Sequence, residues 1–248
     1  MMSNLWRKIG LLAVAGMYMT ASLAGAYPIR TPEGNMPMVH WAVLDATSGN
    51  LGAMGEIGAR TVAPQTAKES GTYALYGGID VANPDRMRLL EIYESYEAYR
   101  IHSTSEAFQK YRAERFPMLK GLKILEANGI ALEQKAEGIA TKVIMRHYEV
   151  KPEKLAEYQQ LATVEAVRSV REEDGVMGMF VTAEHDHPNI IHTMELYRDQ
   201  KSYATYKSSR ECREFEERIK QMFIHAYAVE NLPTNIPLSN KGLHISHS

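Results

Sequence analysis

Between Arg88 and Phe108 the chain reads RLLEIYESYEAYRIHSTSEAF, which gathers Glu91, Tyr93, Tyr96, Tyr99 and His102 into one short stretch. A carboxylate, several phenols and an imidazole can together accept a proton, donate to an oxyanion and orient one another. His102 follows Tyr99 by three residues, so on a helix both project from one side. A histidine ordinarily titrates near neutral pH and can take a proton from a phenol. The plainer account is a half-buried imidazole satisfied by backbone or by a carboxylate. Glu91 stands mid-strand in an apolar run, sharing a face with Leu89 and Tyr93, where a carboxylate is costly to bury without a partner. It either orients a base or braces the fold. Tyr73, Tyr76, Tyr93 and Tyr99 can line a pocket and donate to a substrate oxygen, although tyrosines on strands also serve as packing. His40 and Trp41 are adjacent, so alternation lets only one of them face the helices. Arg60 can meet an anionic substrate or lie solvated.

The elements that must position these groups occur twice. Setting Gly71 against Gly175, an offset of 104, aligns Pro84 with Pro188, Glu91 with Glu195 and Tyr93 with Tyr197. The same register aligns Tyr99 with Tyr203 and Ser105 with Ser209 without a gap. A single register over such a span marks a tandem duplication. Each copy reads as β-α-β-β-α-β. In the first, strands fall at Val39–Ala46, Thr72–Asp80, Met87–Glu94 and Leu119–Ala127, with helices at Asn50–Glu69 and Tyr96–Phe116. In the second, strands fall at Thr141–Val150, Val176–Glu184, Ile190–Tyr197 and Phe223–Val229, with helices at Pro152–Glu173 and Gln200–Lys220. The later helix of each copy is expected to break near Ser103–Ser105 and its counterpart. A lone unit leaves one sheet face bare, so the expected fold is α+β: two ferredoxin-like repeats, residues 38–130 and 141–232, packed as an intrachain dimeric α/β barrel. Residues 233–248 read as an irregular tail.

Composition narrows the function classes. The 248 residues are 45% hydrophobic and 23% charged with a net charge of -2, so nothing points to nucleic acid. Residues 1–26 carry Arg7 and Lys8, an apolar run, and then Ala24-Gly25-Ala26. That is the pattern of a cleavable export signal, cut after Ala26, with a periplasmic or secreted product and no stable membrane insertion. Cys212 is the single cysteine, so no internal disulfide can form. His185, His187 and His192 invite a metal, but a turn is expected at Asp186 and no metal site is assigned.

With this order of elements in hand, the run from Asn83 to Tyr111 resembles the signature region of the antibiotic biosynthesis monooxygenase family. Matching features are Glu69-x-Gly71, Asn83-Pro84-Asp85, Glu91-x-Tyr93-Glu94, and then Tyr99, His102, Ser105 and Phe108. The resemblance covers both copies. It implies cofactor-independent oxidation of a small aromatic, quinol- or phenol-like, by molecular oxygen, with His102, Tyr99 and Glu91 as catalytic candidates. Tyr73, Tyr76, Tyr93, His40, Trp41 and Arg60 are the substrate-binding candidates, no cofactor is expected, and a homo-oligomer is possible. FQKYRAE lacks the histidine of the haem-degrading branch. The alternatives are isomerisation of a small carbonyl compound, or a non-catalytic binding module that kept the fold. In the second copy His102 is replaced by Tyr206 and Phe108 by Cys212. Gly52, Gly55 and Gly58 weaken the first helix by roughly 1 kcal/mol each relative to alanine. We expect them to open the larger pocket, and so the working site, in copy one; a larger pocket in copy two counts against that.

Overall fold

The computed structural model describes residues 29–231, 236–239 and 241–246. The expected export signal lies outside the described residues. The first repeat comprises β1 (Met38–Ala46), α1 (Leu51–Arg60), α2 (Val62–Thr66), β2 (Thr72–Ile79), β3 (Arg86–Tyr93), α3 (Tyr96–Thr104), α4 (Glu106–Arg115) and β4 (Leu119–Gln134). After the short β5 (Ile139–Ala140) come β6 (Lys142–Val150), α5 (Leu155–Glu172), β7 (Val176–Glu184), β8 (Ile190–Tyr197), α6 (Gln200–Ser208), α7 (Arg210–Ile219) and β9 (Phe223–Glu230). The tail adds β10 (Ile236–Pro237) and β11 (Leu243–Ser246).

The strands run β2-β3-β1-β4-β7-β8-β6-β9, which is one antiparallel ferredoxin-like order written twice. Joining them is β4. Its first half pairs with β1, from Ala46 opposite Leu119 to Val39 opposite Ala127. Its second half pairs with β7, from Ala127 opposite Glu184 to Gln134 opposite Gly178. This strand outruns the expected Leu119–Ala127 because Asn128-Gly129 reads as a turn, whereas here Gly129 marks a bulge that shifts register and lets the strand continue. The matching contact at the opposite seam is a single bridge, Asp80 opposite Asn231. The described part of the tail is not irregular: β11 pairs with the end of β4, and Ser239 donates to the Tyr73 carbonyl on β2 at 2.8 Å.

Alternation divides each strand between the barrel interior and the helices. Val39 and Trp41, Leu90 and Ile92, Val143 and Met145, and Met194 and Leu196 fill the interior with Phe180 between them. Outside repeat two, the 18-residue α5 lays Leu155, Tyr158, Ala162, Ala166 and Val170 on the sheet. Outside repeat one, the helix breaks at Thr61. Pro64 has no N–H to give and crowds the preceding turn, so the expected single helix Asn50–Glu69 becomes α1 and α2. The later helices break as expected. Ser105, at φ -61° and ψ 147°, ends α3 and caps α4 by accepting from the Phe108 N–H; Ser209 does the same for Cys212.

The Glu-x-Gly sequences have a packing reason. A Cβ on Gly71 would stand 2.6 Å from Ala98 Cβ, and one on Gly175 would stand 2.4 Å from Ser202 Cβ and 3.2 Å from its Cα. Each glycine lets the turn before an inner strand lie on the first turn of the next helix. Gly175→Ala is therefore expected to destabilise the chain by about 1–3 kcal/mol in urea unfolding. Unchanged stability would mean that the approach can relax.

Candidate active site

In repeat one, β3 turns Leu90 and Ile92 into the barrel and so presents Glu91 and Tyr93 to the helices. His40 lies opposite Glu91 on β3 and Glu126 on β4, facing outward, while Trp41 faces in. Tyr93 Oη donates to Glu91 Oε2 at 3.0 Å. The Tyr99 ring meets His40 edge-on at 4.9 Å and Tyr93 at 5.4 Å. His102, 1% exposed, packs between Tyr93 at 5.4 Å and Phe108 at 4.9 Å. Its Nδ1 lies 2.7 Å from Glu69 Oε2. In the tautomer in which Nδ1 donates to Glu69, the Nε2 lone pair is available. Nε2 has no partner, and neither do His40 Nε2 or Nε and Nη1 of the buried Arg115. Glu69 Oε1 is likewise without a partner. A buried polar atom left idle costs about 1–3 kcal/mol, and four such side chains lie in repeat one around this cluster.

Electrostatics tie them together. Burial lowers the His40 pKa, and the Glu91 carboxylate opposes it. The Tyr93 phenol is held far above its ordinary range by burial and then by Glu91. Burial also lowers the Arg115 pKa, with the Tyr111 ring 4.9 Å away and Glu91 acting in the opposite sense.

Four of the expected binding residues stand elsewhere. Trp41 donates from Nε1 to Thr182 Oγ1 at 2.9 Å across the barrel interior. Tyr76 is also interior, donating to Gln134 Oε1 at 2.7 Å. Arg60 is exposed and pairs with Glu114. Tyr73 bonds Glu33 at 3.1 Å, at the edge of β2. The strand pleat decides the placement of Trp41, Tyr73 and Tyr76, and Arg60 ends α1 at the surface, so these four do not converge on His102.

Repeat two carries the same frame with other chemistry. Glu195 keeps the phenol of Tyr197 at 2.7 Å but is also held by Arg146 at 2.7 Å, where repeat one has Ala42. Tyr206, at the His102 position, donates to the buried Glu165 at 2.8 Å, and Arg168 holds Glu165 from the other side. Ile219 replaces Arg115. Between these groups lies a cavity lined by Tyr148, Tyr158, Phe215 and Met179, with about 50 Å³ for solvent-sized occupants. Ala162 and Ala166 on α5 leave that room. Repeat one carries a more open space of about 330 Å³ between α2, β2 and the tail, lined by Tyr73 and Tyr76 and not by His102. Gly52 and Gly55 are on the exposed side of α1, one residue past the buried Leu51 and Met54, so they open nothing toward the sheet.

The family model for antibiotic biosynthesis monooxygenases matches residues 37–114 and again 142–218, more than half of the chain. The chain belongs to the antibiotic biosynthesis monooxygenase family. Solved folds agree. A monooxygenase-like protein from Fusobacterium nucleatum subsp. nucleatum superposes with a TM-score of 0.77 at 18% identity, over 86% of this chain and 98% of that one. One from Lactobacillus acidophilus superposes with a TM-score of 0.78 at 15% identity, over 84% and 98%. An anthrone oxidase-like protein superposes at 0.51 and 10% identity, over 85% and 96%. No curated protein matches the sequence.

In this antibiotic biosynthesis monooxygenase chain, Arg115 and the Glu69–His102 contact were not legible as a site. The only signal for Arg115 was a basic residue ending a helix, which ordinarily means a solvated charge. Among the described residues, no three of histidine, cysteine, aspartate and glutamate gather closely enough for a metal. Cys212, 1% exposed, has its thiol pKa pushed up to about 11, chiefly by burial and then by Glu216. A raised pKa keeps the thiol protonated until pH approaches that value, so alkylation by iodoacetamide at pH 8 is expected to be negligible in the folded chain and complete in denaturant. Rapid labelling of the folded chain would contradict that burial.

Proposed function

We propose that the chain is an exported, cofactor-independent monooxygenase acting on a quinol- or phenol-like aromatic, with His102 as the base. The observation that carries this reading is the buried His102, with Nδ1 held by Glu69 at 2.7 Å and Nε2 without a partner. A base held by a carboxylate through one nitrogen keeps the other aimed and basic. Nε2 takes the phenol proton, and the idle Arg115 donors and the Tyr99 hydroxyl are the groups available to the oxyanion. The phenolate supplies electrons directly to molecular oxygen. One oxygen atom enters the ring, the other leaves as water, and a phenol becomes a quinone, which accounts for all four electrons. The likeness in fold to an anthrone oxidase-like protein supports the substrate class. In repeat one the rings are closely packed, so entry requires α3 and α4 to part at Ser105, where the helix is already broken.

One observation favours a second reading. The formed cavity is in repeat two, which has no histidine there and whose carboxylates are engaged by Arg146 and Arg168. Each of these carboxylates already holds an arginine and a tyrosine hydroxyl, so that cavity suits a bound aromatic that is not turned over. Oxygen consumption with a panel of hydroquinones and phenols separates the readings. Wild type is expected to consume oxygen, His102→Ala to lose about a hundredfold or more in kcat, and Ala166→Leu in the repeat-two cavity to retain activity. Full activity in His102→Ala with loss in Ala166→Leu moves the site to repeat two. No turnover of any substrate removes the oxygenase reading.

A further inference from the structure

The inner wall of the barrel holds a second set of groups that the proposed chemistry does not use. At one end, side chains from both repeats meet at positions related by the 104-residue offset: Arg88 with His192, Asp80 with Glu184, and Val43 with His147. Each repeat therefore places an acid and a basic group at this mouth. The two pairs are not equally tight. His192 Nε2 lies 2.8 Å from Glu184 Oε1, whereas Arg88 reaches Asp80 only through Nη2, at 3.4 Å. Asp80 also accepts from the Ala82 N–H at 2.9 Å. Arg88 Nε is buried without a partner. A guanidinium offers five donors in a planar fork, and this one uses a single long contact.

The space beside it is about 250 Å³, and its walls are mostly apolar. Trp41 forms the floor, 5% exposed and fixed through its N–H to Thr182. His147 stands edge-on to His192 at 4.7 Å and packs on Tyr227 at 5.2 Å. Tyr227, 54% exposed, forms the rim, and Leu125 and Val229 close the side where β4 and β9 face each other. A few polar groups in an otherwise apolar concavity is the pattern of a small-molecule site. Flat rings on the wall select a flat ligand, and a guanidinium with an idle fork selects a carboxylate.

We propose that this mouth of the barrel binds a planar aromatic carboxylate, with the carboxylate on Arg88 and the ring system between Trp41 and Tyr227. The site lies on the opposite face of the sheet from His102 and from the repeat-two cavity, so it stands apart from the proposed oxidation. It exists only in the assembled barrel, because β1, β3 and β4 supply one wall and β6, β8 and β9 the other. Phosphate and other small inorganic anions do not fit it, since they leave the aromatic walls unpartnered.

Isothermal titration of the full chain with 2-naphthoate, 2-naphthamide and inorganic phosphate tests this. One equivalent of naphthoate is expected to bind, the neutral amide at least about tenfold more weakly, and phosphate not at all. Arg88→Gln should weaken naphthoate by about tenfold or more while leaving the amide unchanged, an internal control for folding. Tyr227→Ala, at the exposed rim, should weaken both acid and amide. Ala166→Leu, in the repeat-two cavity, should change neither. Absence of naphthoate binding, equal affinity for acid and amide, undiminished binding in Arg88→Gln, or loss of binding in Ala166→Leu each overturns the proposal.

Discussion

Everything in this molecule depends on one strand serving two sheets. The first half of β4 completes repeat one through β1, and its second half opens repeat two through β7. A four-stranded ferredoxin-like sheet covered by helices on one side leaves the other side apolar and bare. By crossing over, β4 brings the two bare faces together, so that Trp41, Tyr76, Leu90, Ile92, Phe180, Met194 and Leu196 share one interior. At the other seam the symmetry lapses after Asp80 and Asn231. The tail takes over. Ser239 bonds the Tyr73 carbonyl and Tyr76 hydroxyl, Lys241 donates to the carbonyls of Glu69 and Thr72, and His244 meets the buried Glu133 at 2.9 Å. The tail thereby fixes the turn from which Glu69 reaches His102, so closure of the barrel and placement of His102 are one problem.

Duplication within one chain frees the two outer faces to diverge. Both keep a strand glutamate that accepts from the tyrosine two residues on, Glu91 with Tyr93 and Glu195 with Tyr197. That shared contact is structural bracing. What differs is how the charge around it is matched. Repeat two gives Glu195 to Arg146 and Glu165 to Arg168 and Tyr206, and retains a small cavity. Repeat one leaves His40, His102 and Arg115 with unused nitrogens in a closely packed aromatic cluster. Buried groups without partners are tolerated where something else gains from them, and a proton acceptor with an oxyanion partner is such a gain.

Much of this frame was legible in the sequence, because a duplication reports each element twice. The strands and the paired breaks at Ser105 and Ser209 follow from period, turn residues and register. The continuation of β4 was hidden by Asn128-Gly129, whose turn chemistry is locally sound and is overridden by pairing with β7. The three glycines were counted without their phase: Leu51, Met54 and Ile57 take the inward positions, and Gly52 and Gly55 face solvent. His40 and Trp41 could be separated only by the sheet, since alternation alone does not say which face is inside. Glu69 lies in a different element from His102, as Arg115 does from Glu91, and long-range contacts of that kind leave no local mark.

The central claim is that the duplicated barrel keeps its base in repeat one, although the cavity between Tyr206 and Glu195 is in repeat two. A crystal structure of the chain with 4-nitrophenol, a phenol resistant to oxidation, tests it most directly. The account predicts the phenolic oxygen within hydrogen-bond distance of His102 Nε2, with α3 displaced from α4 about Ser105. A phenol seated only in the repeat-two cavity, with Nε2 of His102 still unpartnered, would contradict it.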